Sequence, residues 1–262
     1  VKVLTLNCHS WQEEAQLEKL AILAQAIHKQ SYDVIALQEV SQSIAARRIS
    51  GELKEDNFIL LLQQELQALG STYEFVWDYA HIAYDQYEEG IALLTKHKVI
   101  SKQSFFVSES QDLSYWKARK AVGMTIDIDG KVLDFYSCHM GWWNDKSEPF
   151  QRQMDQLVHC VFSDRPHFLA GDFNNEAATE NEGYDYIQQL GYYDTYQLAK
   201  EKDAGITVQG DIAGWTNSNT EKRIDYIFAS EKVNVIRSQV VFNGVNLPII
   251  SDHFGVEATI KL

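Results

Sequence analysis

Proline and cysteine are both scarce, three of each in 262 residues, so neither a Pro-rich linker nor a disulfide framework can organise this chain. The cysteines, Cys8, Cys138 and Cys160, are odd in number and show no CxxC or CxxH spacing, which argues against paired bridges and against a zinc site. Cys8 and Cys138 lie beside strand-like patterns, where a thiol behaves as a small buried hydrophobe. That usage fits a reducing, cytoplasmic setting. No apolar run approaches the roughly eighteen residues that cross a bilayer. The chain opens on VKVLTLN, a strand pattern with no charged segment leading into a long apolar one, so no signal peptide is expected. Positive charge is thin as well: 23 Lys and Arg against 37 Asp and Glu, a net charge of −14. A protein that grips nucleic-acid backbone needs a basic face, and the nearest approach to one is Lys117, Arg119 and Lys120. The balance disfavours nucleic acid and anionic membranes, and no feature marks a protein partner. It suits a small soluble ligand.

What is present alternates between strand and helix. Strands are expected at 3–7, 34–37, 74–77, 91–95, 121–128, 132–138, 167–170, 224–229, 234–242 and 255–261. Helices are expected at 14–30, 57–69 and 149–162, the first carrying Leu17, Leu20, Ala24 and Ile27 at helical spacing. With no linker-like stretch and no repeat, residues 1–262 read as one domain. Interleaved helices and strands imply an α/β class. Asp129-Gly130 between two apolar runs signals a hairpin, hence antiparallel pairing and mixed sheets. Two packed sheets with helices outside, or one mixed sheet, would both satisfy this pattern.

Polar clusters recur where the expected strands end: Asn7 after Leu4-Thr5-Leu6, Glu39 after Val34 to Gln38, His139 after Phe135 to Cys138, and Asp172, Asn174 and Asn175 after His167 to Gly171. Asp225 enters a late strand, and Asp252 and His253 precede the last one. Taken singly, each has a plain structural explanation: a solvated strand-end carboxylate, an Asx turn, a satisfied core histidine. Asp225 is harder to dismiss, since a carboxylate in an apolar run needs a partner, and His253 is a natural one. Six such clusters in one chain exceed what turns alone would supply, and strand ends are where α/β folds assemble ligand sites.

The ordered set LTLNCH, LQEV, EEGIALLTK, SCHMGWWN, GDFNN, RIDYIF and SDHFGV resembles the endonuclease/exonuclease/phosphatase superfamily over essentially the whole chain. The resemblance implies a four-layer α/β/β/α sandwich of two mixed sheets flanked by helices, and a Mg²⁺-dependent phosphoesterase, with Mn²⁺ as an alternative ion. It implies Glu39 as the principal metal ligand, with Asn7 and Asp252 completing or supporting the site. Asp172 would orient and deprotonate the attacking water, Asn174 would help place it, and His253, paired with Asp225, would contact the phosphate. His139 would be a second phosphate-facing donor, buttressed by Glu88 or Glu89. His9 stands where abasic-site endonucleases of the superfamily usually carry Asp, which weakens a repair-nuclease reading.

The substrate must be read from the intervening segments. Trp116 and Trp143 sit among polar residues and are expected to face a ligand, whereas Trp77 and Trp142 are equally explained as core. Lys117 and Arg119 are expected clamps for phosphate or hydroxyl groups. The segments LTLNCHSWQEE, WDYAHIAYDQYEEG, YWKAR and SCHMGWWNDKSEPF are similar to a narrower group, the cytoplasmic sugar-phosphate phosphatases of Gram-positive bacteria typified by maltose 6'-phosphate phosphatase. They imply a sugar phosphate as substrate. A nuclease, a sphingomyelinase-like phosphodiesterase and a non-catalytic phosphate-binding module are the competing expectations.

Overall fold

The computed structural model describes residues 1–161, 164–212, 215 and 221–262. Its longer elements, in chain order, are β1 (Lys2–Asn7), α1 (Gln16–Gln30), β2 (Val34–Gln38), α2 (Phe58–Ala68), β3 (Glu74–Ala83), β4 (Tyr87–Thr95), β5 (Lys98–Phe106), β6 (Lys120–Ile128), β7 (Lys131–His139), α3 (Phe150–Cys160), β8 (His167–Asp172), α4 (Gly183–Gln189), β9 (Asp225–Ala229), β10 (Asn234–Val241) and β11 (Gly255–Lys261). The expected helix 149–162 is α3; residue 162 lies outside the described residues. Several elements depart from expectation: α4 was not expected, and β4 begins at Tyr87, ahead of the expected 91–95. β3 runs on to Ala83 instead of ending at 77, and β5 was not anticipated. β5 is an edge strand with no fully buried residue, and Ile100 is exposed, so KVISKQSFF carries little apolar alternation to read.

One sheet runs β10-β11-β1-β2-β4-β3, with short strands Glu201–Lys202 and Gln42–Ser43 added to it. The other runs β5-β6-β7-β8-β9 and ends on the short strand Tyr193–Asp194. Both are mixed: β1–β2 and β7–β8 are parallel, whereas β6–β7 is the expected hairpin, turning through Asp129 and Gly130, both at positive φ. Strand alternation sorts the residues into layers. Leu4 and Leu6 of β1, with Ile35 and Leu37 of β2, face outward under α1 and α2. Val3, Val34 and Ala36 face inward against Phe135, Phe168 and Ile227 of the second sheet. Tyr136, Cys138 and Leu169 face outward beneath Met154 and Leu157 of α3 and Ile187 of α4. The result is the four-layer α/β/β/α sandwich. Phe135 and Phe168 stack at its centre, 4.9 Å between ring centroids; each such ring contributes about 1.5–3 kcal/mol by leaving water. Cys8 and Cys138 are buried and free.

This topology decides where the polar residues go. The carboxyl ends of β1, β2, β7 and β8 and the amino ends of β6, β9 and β11 share one rim. Register then sets them side by side: His139 pairs with Asp172, and Asp172 with Asp225. A slip of one residue would turn any of them to the opposite face. Beneath the rim the two sheets are tied across the core, Gln38 Nε2 donating to Ser137 Oγ at 2.9 Å.

Candidate active site

The centre of the rim is a carboxylate–amide–histidine cluster with almost no exposed surface. Asn7 Nδ2 donates to Glu39 Oε1 at 2.8 Å and to Asp172 Oδ2 at 3.2 Å, while its Oδ1 accepts from His9 N–H at 3.1 Å. Asn7 therefore holds two acids in register. Asp172 also accepts from the Asn174 backbone N–H at 2.8 Å. The GDFNN segment makes this possible: a Cβ at Gly171 would lie 1.8 Å from the Cys138 carbonyl oxygen, so only glycine lets β8 approach β7 this closely. Asn174 is held in the left-handed region at φ 50°, which brings its amide to Met140 O at 3.0 Å. Glu39 is likewise left-handed, at φ 51°. Such positions are costly for non-glycine residues and concentrate at functional sites.

His253 Nδ1 donates to both oxygens of Asp225, at 3.0 and 3.2 Å, and its Nε2 lies 3.7 Å from Asp172 Oδ2. Burial alone would lower the His253 pKa, but Asp225 and Asp172 hold it well above the ordinary value. It is a cation at neutral pH. His139 behaves oppositely: burial, reinforced by Arg119 and His81, pushes it well below the usual range, so it is neutral. Its Nε2 stands 3.7 Å from Asp172 and 3.9 Å from Glu39. The choice between two glutamates is resolved by position. Glu89 lies 3.9 Å from His139 Nδ1 and 3.4 Å from His81 Nε2, whereas Glu88 pairs with Lys54 at 2.9 Å and Gln42 at 2.6 Å.

Two carboxylates are poised in the physiological range. Burial, with like-charged Glu89 and Asp252 nearby, pushes Glu39 up to about 7. Burial pushes Asp172 up to about 7 as well, against the pull of His253 and with Asp225 adding to it. Asp252 faces His9 at 3.6 Å, and His9 is itself bound to Glu13 at 2.7 Å. Three groups bring ligating atoms within 4.8 Å of one another: Glu39, Glu89 and His139; His9, Glu13 and Asp252; and Asp172, Asp225 and His253. The last is already knitted by the His253 ring. Around Glu39 the donors are mainly carboxylate oxygens, and its one ion-pair partner among the described residues is neutral His139. Such an oxygen-rich, charge-crowded site fits a hard divalent cation.

Glu39, Asp172, Asn174, His139, Asp252 and His253 form the floor of a cavity of about 380 Å³, walled by His9, His81, Tyr84, Glu89, Trp116, Arg119, Trp142 and Ile212. Two sequence expectations are corrected here. Trp143 does not face the cavity: its ring packs on Phe150 and Tyr186, with centroids 6.3 and 5.7 Å away, in the core under the second sheet. The adjacent residue, Trp142, is the one on the cavity wall, 6.2 Å from Trp116. Lys117 does not line the cavity either; its ammonium is tied to Asp145 and Ser147 and lies over the Trp116 ring. Trp116 and Arg119 are on the wall as expected. Arg119 is 5% exposed and has no carboxylate within ion-pair distance among the described residues; its Nη1 donates to the Trp116 and Ala118 carbonyls. Sequence reasoning singled out no role for His81, Tyr84 or Ile212, and left Trp142 even between core and ligand. Period-two alternation through AHIAY would have carried β3 past residue 77 and brought His81 to the rim. A β-bulge between Tyr79 and His81 sets which face each residue takes, and that is not readable from the pattern.

Among the described residues no helix is long and apolar enough to cross a membrane. Comparison with curated proteins found no match. The profile of the endonuclease/exonuclease/phosphatase family matches residues 4–253. Among solved structures, an endonuclease/exonuclease/phosphatase family protein from Leptotrichia buccalis C-1013-b is 38% identical, with both chains covered over 100% and a TM-score of 0.94. A mannosyl-6-phosphatase from Bacteroides thetaiotaomicron VPI-5482 shares the fold at 18% identity, again with 100% of both chains covered, at a TM-score of 0.73. A functionally unknown conserved protein from Enterococcus faecalis V583 shares it at 19% identity, covering 100% of this chain and 99% of its own, at 0.71. With that profile and that rim of acids and histidines, the chain belongs to the endonuclease/exonuclease/phosphatase family, whose members are metal-dependent phosphoesterases.

Proposed function

We propose that this protein hydrolyses the phosphate monoester of a small soluble sugar phosphate, such as maltose 6'-phosphate, in a Mg²⁺-dependent reaction. The observation that carries the reading is the cavity. The acid–histidine floor lies at the bottom of a walled pocket of about 380 Å³ bearing Trp116, Trp142 and Tyr84, a volume within the range that small-molecule sites occupy, about 300–1,000 Å³. Aromatic faces beside polar groups suit a sugar ring, and the net charge of −14 disfavours a long polyanion. The mannosyl-6-phosphatase of the same fold is an example of such chemistry on this scaffold.

In this reading Asp172 orients the attacking water and takes its proton; a carboxylate near 7 is matched to that task at neutral pH. Asn174, fixed on the adjoining left-handed turn, helps place the water and holds a phosphoryl oxygen. As the bond from water oxygen to phosphorus forms and the ester bond breaks, cationic His253 stabilises the growing negative charge and supplies a proton to the leaving oxygen. Asp225 orients its ring through Nδ1–H. Neutral His139, its Nε2 3.7 Å from Asp172, faces the phosphoryl group. Glu39 and Asp252 hold the metal, and Asn7 supports it by fixing Glu39. When bound, Mg²⁺ neutralises charge on the phosphoryl oxygens.

A phosphate-release screen with Mg²⁺ over sugar phosphates, nucleotides and inositol phosphates, run beside a plasmid-nicking assay, tests this. Turnover of a sugar phosphate with DNA left intact is expected. Activity confined to DNA would overturn the reading.

A further inference from the structure

One wall residue adopts a backbone conformation that its residue type disfavours. β3 and β4 are joined by Tyr84, Asp85 and Gln86, with Gln86 N–H donating back to Ala83 O at 3.0 Å. Tyr84 at φ 52° and Asp85 at φ 54° are both left-handed. Two consecutive left-handed residues make a tight turn that Asn-Gly supplies at least cost; a bulky aromatic at the first position is unfavourable. Nor does packing in the core explain the ring, because Tyr84 is 61% exposed while still lining the cavity. It lines the same cavity as the acidic residues Glu39, Glu89 and Asp252.

The turn is also fixed relative to the segment that carries Trp116. Ile82 N–H donates to Leu113 O at 2.7 Å, and His81 Nδ1 donates to Ala118 O at 3.0 Å. These bonds tie the end of β3 to the segment that carries Trp116, itself 52% exposed and adjacent to Trp142. Two aromatic surfaces at the mouth are thus set on one frame, above a floor where Asp172, Asn174 and His253 are each 5% exposed or less.

We infer that Tyr84 is a specificity-determining residue, whose ring caps the sugar of the leaving group at the cavity mouth while Trp116 and Trp142 form the other wall. The inference rests on the sugar-phosphate reading above. It makes the depth of the site part of substrate choice: a phosphate carried on an exocyclic CH₂ reaches the floor while the pyranose ring stays between the aromatic walls.

The test compares kcat/KM for a hexopyranose 6-phosphate, maltose 6'-phosphate, with that for glycerol 1-phosphate, which has the reacting group but no ring. Three proteins are measured: wild type, Tyr84→Asn and Tyr84→Phe. Asparagine tolerates the left-handed turn, so the ring is removed without breaking the hairpin. Tyr84→Asn is expected to lower the ratio of the two kcat/KM values about tenfold, mainly through KM, the scale of one lost ring contact. Tyr84→Phe keeps the ring and is expected to hold the wild-type ratio. A ratio within twofold of wild type for Tyr84→Asn overturns the inference, as does a Phe variant as impaired as the Asn one. Wild type that turns over no sugar phosphate at all overturns the parent reading, and this inference with it.

Discussion

Asp225→Asn isolates the charge that keeps His253 cationic while preserving the shape of its partner. Both oxygens of Asp225 lie within 3.2 Å of His253 Nδ1, and both residues are at most 3% exposed. A buried hydrogen bond to a charged group is worth about 1.5–3 kcal/mol, which corresponds to a His253 pKa lowered by about one to two units. Burial, the largest influence on this ring, acts in the same direction once Asp225 is neutral. The variant should therefore release phosphate more slowly than wild type in base if cationic His253 is needed, by up to about 10–150-fold once the pH lies above both pKa values. The deficit should shrink as pH falls and the variant's imidazole regains its proton. Taking the ratio of variant to wild-type kcat at each pH cancels most of the shared loss that comes from protonating Asp172. Stability changes in a linked way. The folded pKa of His253 lies above its unfolded value of about 6.5, so the pair's contribution is fully present below that pH and is lost as pH rises through the folded pKa. The difference in Tm between wild type and variant should accordingly be largest in mild acid and narrow in base. A rate ratio that stays flat from pH 6 to 8.5 would refute the assignment of His253 as a charged participant.

Asp172→Asn removes the base without removing its hydrogen bond to Asn174, and should cost about 10²–10⁴-fold in kcat with KM little moved, read by phosphate release. Glu39 and Asp172 are carboxylates whose folded pKa of about 7 exceeds the unfolded value. Their favourable contribution to the metal-free protein is therefore present in acid and lost as pH rises through about 7. Mg²⁺ should consequently raise Tm more at pH 8 than at pH 6 by thermal unfolding, and Glu39→Gln should abolish that difference. The neighbouring tryptophans should separate cleanly. Trp142→Ala should raise KM for the sugar phosphate with a small change in Tm, while Trp143→Ala, which empties a site against Phe150 and Tyr186, should lower Tm by the equivalent of about 3–5 kcal/mol at most and leave KM near wild type.

The residues legible in the sequence were those whose position depends on strand ends alone. Asn7, Glu39, His139 and Asp172 each follow a short apolar run, and an apolar run that stops at a polar residue shows both where the strand ends and where the rim begins. Asp225 and His253 could be matched because a buried carboxylate demands a partner. What could not be read depends on parity and on loops. Glu88 and Glu89 are neighbours on β4 and point to opposite faces; one meets Lys54 at one edge and the other meets His139, and nothing in the string EEG says which. Trp142 and Trp143 pose the same problem outside a strand. The chain leaving His139 is pinned where Gly141 N–H donates to Gln153 Oε1 at 2.8 Å, a contact with α3 twelve residues on. That bond belongs to the segment that leaves Trp142 on the cavity wall and Trp143 on the core, although their immediate polar neighbours favour the reverse assignment. Tyr84 was hidden for a different reason: its left-handed turn is the opposite of what its residue type prefers, so local propensity argues against the conformation that puts its ring at the mouth. Residues that violate local preference in this way are held by something other than local energetics. At this position the other candidate is the ligand, which is why the wall of the pocket, and not its catalytic floor, is where substitution should redirect substrate choice.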